Sequence, residues 1–164
     1  MANKNDFTPE EWSKVLESII AAGIAVSAVA PSGWWGTFKE AAAGLPALVA
    51  AKRDPKSNEF IKAAIADFEK SKDGNILAMR DRFAHAEAKE CVQRSLASLR
   101  EVTVIVDAKA PGEAAAFKTW LREISQKVAE ATVEGSFLGV GGVRVSDAEK
   151  ATLRDISTAL GMAT

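Results

Sequence analysis

The stretch PGEAAAFKTWLREISQKVAEATVEG, residues 111–135, decides how the chain folds. Phe117, Trp120, Leu121, Ile124, Val128 and Ala131 recur at spacings of three and four, which on a helix puts them on one face. Lys118, Arg122 and Gln126 fall elsewhere. Glu123 and Lys127 stand at i,i+4 with the acid first, an order that contributes roughly 0.2–0.5 kcal/mol. Pro111 suits the first turn, where no intrahelical donor is needed.

Downstream, SFLGVGGVRV (136–145) interleaves glycines with Phe137, Leu138, Val140 and Val143. This reads as a connection that tucks apolar residues inward. SDAEKATLRDISTALG (146–161) then reads as a capped closing helix. Ser146 and Glu149 form a capping box, Leu153, Ile156 and Leu160 make the stripe, and Gly161 ends it.

Upstream, residues 76–109 are helical in composition, as one bent helix or two with a boundary near His85 to Lys89. Val92, Leu96, Leu99, Thr103 and Val106 make the stripe. EVTVIVD (101–107) has strand propensity, but the helical stripe runs through it and no partner strand is evident. Pro111 disfavours helix at Ala110. Before this come a loop at Ser71–Asn75, a helix carrying Phe60, Ile61, Ala64, Ile65 and Phe68, and a turn at Lys52–Pro55. Gly44-Leu45-Pro46 kinks or restarts a helix that leads into Leu48 and Val49. Trp34-Trp35-Gly36 precedes a helix through Phe38 and Ala43.

The first helix opens with Thr8 as N-cap, Pro9 as first residue and Glu11 completing a capping box; Phe7 and Trp12 hold the two positions of a hydrophobic staple. Trp12, Val15, Leu16, Ile19 and Ile20 form its stripe. From Ile19 to Ala30 it is apolar nearly all round, which implies burial on more than one side. Pro31-Ser32-Gly33 breaks it. Residues 1–6 read as a disordered polar tail. The expected architecture is all-α: one compact domain over 1–164, a bundle of six to seven helices packed as helical hairpins.

The totals narrow the function. A net charge of −1, from 21 basic and 22 acidic residues, gives no field that favours nucleic acid. The single cysteine, Cys91, rules out an internal disulfide framework and fits a reducing compartment, hence the cytoplasm. The apolar run of the first helix falls short of the about 20 residues that span a bilayer, so no transmembrane segment is expected.

Chemistry-bearing residues are few. His85 is the only histidine and stands with no nucleophile motif, and there is no tyrosine. GVGG lacks the phosphate-loop patterns. Glu130 and Glu134 share a helix face, and Asp147 and Glu149 return nearby across the glycine-rich connection. Such a corner of oxygen ligands is a candidate site for Ca²⁺ or Mg²⁺. The alternative reading gives Glu149 to the cap, Asp147 to the helix dipole and Glu130 to solvent. No cofactor is required. Trp34 and Trp35, being adjacent, cannot both face one core; with Phe137 and Leu138 they are the candidate interaction surface.

VSAVAPSGWWGTFKE and AEATVEGSFLGVGGVRVSDAEKATLRDISTALG both run helix, glycine turn, helix. Glu134-Gly135, Glu149, Leu153, Ile156 and Leu160-Gly161 resemble the paired pattern of the tellurite-resistance TerB-like family. The first copy departs from it, with Pro31-Ser32-Gly33 in place of the acidic-glycine step. The resemblance implies an all-α fold, a stress-related context and metal-linked interaction by a non-enzymatic domain. The expected partner is another protein, with a homodimer as one form. Two alternatives are a membrane-surface or partner-docking module using the apolar first helix with Trp34-Trp35, and a carboxylate-based enzyme.

Overall fold

The computed structural model describes residues 2–29, 46–54, 57–83, 85–134 and 145–163; within its helices the side chains of 46–49, 72, 73, 75, 76, 79, 80 and 131–134 are not described. The described residues form six α-helices and no strand: α1 Pro9–Ser27, α2 Pro46–Arg53, α3 Glu59–Phe83, α4 Ala88–Lys109, α5 Pro111–Glu134 and α6 Asp147–Ala159. They pack as an all-α bundle, as the periodicity requires. The stretch EVTVIVD lies wholly inside α4.

The helix α1 is central. Every residue from Ser18 to Ala28 is buried. Its most extensive contact is with α4, then α5. Lys109 pairs with Glu11 and Glu101 with Lys14, so α4 runs antiparallel to α1. The small side chains of Ala21, Ala22, Gly23 and Ala25 let neighbouring helices come close. The hydroxyl of Ser125 on α5 reaches the Ala22 carbonyl at 2.9 Å. The apolar first helix is therefore core, which corrects the alternative in which that helix is an exposed docking face. It ends at Ser27 rather than near Ala30, with a turn through Ala28 and Val29.

The ends of the helices follow local chemistry. Thr8 and Glu11 form their capping box, and Phe7 meets Trp12 at 5.5 Å between ring centroids. Both rings reach Phe60 on α3, and Phe60 meets Phe117 on α5 at 5.2 Å. This aromatic row ties α1, α3 and α5 together. Ser146 and Glu149 cap α6, and Gly161 takes φ +66°, the left-handed conformation that closes a helix without strain in glycine. Between α4 and α5, Ala110 leaves helical geometry and Pro111 starts the next helix.

Two expectations are corrected. Ser71–Asn75 is not a loop but lies within α3. Ser71 satisfies its hydroxyl on the Asp67 carbonyl at 2.8 Å, and Gly74 costs only about 1 kcal/mol relative to alanine. The chain breaks further on, at residues 85–87, inside the interval expected for the boundary. Residues 2–6 lie along the bundle as a strap: Asn3 caps a 3-10 turn over Lys4–Asp6, Lys4 pairs with Asp67 at 2.6 Å, and the Ala2 N–H donates to Glu113 at 3.2 Å. The expected Glu123–Lys127 pairing is replaced by Lys127 with Glu130, at 3.1 Å.

Candidate functional site

The antiparallel packing of α1 on α4, closed at one end by the last residues of α3, leaves an open groove of about 1000 Å³. From α1 it is lined by Pro9, Glu10, Ser13, Lys14 and Glu17, and from α4 by Arg94, Ala97, Ser98 and Glu101. Arg82 and the buried Phe83 close it. On α1 the polar lining follows from the helix period, since Glu10, Ser13, Lys14 and Glu17 lie opposite the apolar stripe.

Charge is arranged in order along this groove. Lys14 pairs with Glu101 across it, and Arg82 pairs with Glu17 at 3.4 Å. Arg94 donates to the Arg82 carbonyl at 2.8 Å and pairs with Glu90 one turn back. One end thus carries Glu10, Glu101 and Lys14, the other Glu17, Arg82 and Arg94. The lining is acid-rich at the first end and arginine-rich at the second.

Three of the four carboxylates of the expected metal corner lie among the described side chains. Glu130 accepts from Gln126 and from Lys127, both at 3.1 Å, and these contacts hold its carboxyl below the usual range. Glu149 is buried, and one of its oxygens accepts from the Ser146 N–H at 2.8 Å and the Ser146 hydroxyl at 2.9 Å. Asp147 is fully exposed, 3.6 Å from Lys150. The side chain of Glu134 lies outside the described residues. Among the described residues, no three histidine, cysteine, aspartate or glutamate side chains gather where they could hold an ion. Trp34, Trp35, Phe137 and Leu138 also lie outside the described residues.

His85 is exposed in the turn before α4. Cys91 is buried, and desolvation pushes its thiol up, away from the reactive thiolate. Arg122 is desolvated between α5 and α6, which lowers its pKa. Its guanidinium donates to the Ser157 hydroxyl at 2.9 Å and to Gln126 at 3.2 Å, beside the last turn of α6, where a cation complements the helix dipole.

The groove was not legible as a site from the sequence. The polar stripe of α1 is readable there, but Lys14 and Glu101 are 87 positions apart, and their meeting depends on the register of two helices. No family model, no curated protein and no solved structure matches the chain. Among the described residues, no helix is long and apolar enough to cross a membrane.

Proposed function

We propose that this chain is a non-enzymatic helical interaction domain of TerB-like type, cytoplasmic and stress-related, which holds a protein partner along the groove between α1 and α4. The observation that carries this reading is the groove itself. It is open and long, and its charges stand as pairs on facing walls. Its two ends differ in charge, acid-rich beside Glu10 and Glu101 and arginine-rich beside Arg82 and Arg94, which suits recognition by charge complementarity, a determinant of specificity and encounter rate more than of raw affinity. The TerB-like part is supported by the sequence pattern ending in Glu149, Leu153, Ile156 and Leu160-Gly161.

The test compares what the wild-type chain and a Lys14→Glu, Arg82→Glu variant retain when each is used as bait under identical conditions. Loss of a specific protein from the variant supports the reading. Identical retention by both, with the variant folded by circular dichroism, removes it. Titration calorimetry with Ca²⁺ and Mg²⁺ addresses the cation separately. With Glu149 engaged by its cap and Glu130 by Gln126 and Lys127, no binding heat is expected. A saturable heat that disappears in Glu149→Gln would place a metal at that corner.

A further inference from the structure

The outward face of α4 has a pattern of its own. Arg94, Ala97, Glu101, Val104 and Ala108 follow steps of three, four, three and four, and all five are exposed. Val104 is 69% exposed, one of the two large apolar side chains among the described residues that are left in water. The opposite face of the same helix, with Cys91, Leu96, Leu99, Val102 and Val106, is buried in the core. So α4 carries two seams, one in the core and one exposed, and Arg94, Ala97 and Glu101 of the exposed one also line the groove. The three-four spacing is that of residues at a helix–helix contact. Small residues between Arg94 and Glu101, Ala97 with Ser98 beside it, allow another helix to approach closely.

We propose that this seam pairs with the same seam of a second copy of the chain, antiparallel, about a two-fold axis near Ala97 and Ser98. This rests on the reading of the groove as the protein-contact face, since α4 is one of its walls. The argument is charge complementarity. Arg94 and Glu101 are seven residues apart, roughly 10 Å along the helix. A two-fold axis midway between them brings Arg94 of each copy beside Glu101 of the other, so the ion pair is made twice. A face with acid at one end and base at the other complements itself under this symmetry, which is what an isologous contact requires. Both groups have capacity for it. Lys14 engages Oε1 of Glu101 and leaves Oε2; Arg94 uses one N–H on the Arg82 carbonyl and one on Glu90, out of five. Val104, three residues beyond Glu101, then stands level with the first turn of the second copy's helix, beside its Glu90.

Light scattering after size exclusion at low salt tests the pairing. The wild type should weigh twice the 17.4 kDa of one chain. Arg94→Glu alone sets two acids against each other in both pairs, and Glu101→Arg alone sets two bases; each should run as a monomer with unchanged helicity. An equimolar mixture of these two variants should recover the dimer, because each then supplies the charge the other lacks. The double variant Arg94→Glu, Glu101→Arg should dimerise by itself. Should either single variant lose helicity, Val104→Glu replaces it, and it too should be monomeric. A wild type that stays monomeric up to about 1 mM overturns the proposal. So does a dimer that persists in both single variants. A monomeric wild type that still loses a retained protein through Lys14→Glu, Arg82→Glu removes the second copy and leaves the groove reading in place.

Discussion

Asp67 joins more of the molecule than any other single carboxylate described above. It accepts from Lys4 at 2.6 Å, from Lys70 at 3.1 Å and from the Trp12 indole at 3.2 Å. The Lys4 contact, aided by those from Lys70 and Trp12, holds its carboxyl below the ordinary value of 3.8 despite some desolvation. A depressed carboxylate stabilises the fold fully above its unfolded pKa and loses that stabilisation as pH falls through the folded one. Asp67→Asn should therefore cost about 1 kcal/mol at neutral pH, the scale of one charged hydrogen bond reduced by solvent. The gap between variant and wild type should close as pH falls below about 3.8. Urea midpoints measured from neutral to acid pH check both. At this scale the sequence was informative about caps. Thr8–Glu11 and Ser146–Glu149 close as their spacing requires, because a capping box is local. Asp67 gave no such signal, since two of its three partners, Lys4 and Trp12, stand on other segments.

Among the elements, α3 shows where local reading fails. Ser71, Lys72, Asp73, Gly74 and Asn75 have the composition of a loop, yet the helix runs through them. Helix propensity is a weak prior, and helical turns continue on both sides of this stretch. A Cβ built on Gly74 meets nothing within 4 Å. Gly74→Ala should therefore stabilise the protein by about 0.5–1 kcal/mol, through loss of backbone freedom in the unfolded chain. Gly161→Ala should act in the opposite direction, because φ +66° is strained for any side chain there, whatever the space. Thermal melts of the two variants separate the cases. Melting temperatures that fall for both would place Gly74 outside a helix.

For the whole molecule, the fold class was legible because five apolar stripes at helical spacing admit no sheet. The central place of α1 was legible in part, as an apolar surface running nearly all round the helix from Ile19. Which helices surround it was not, because Ala21, Ala22, Gly23 and Ala25, the small residues of α1 in this buried stretch, carry no strong pattern. The groove escaped for a related reason: Glu17 and Arg82 are 65 positions apart, and only packing brings them together. The central claim is that α1 is enclosed on every side over Ile19–Val26. Native-state hydrogen exchange of those backbone amides tests it most directly. Enclosure predicts exchange only through global unfolding, with an opening free energy equal to that from urea denaturation. Exchange of the same amides through local opening, while those of α4 and α5 stay protected, would contradict it.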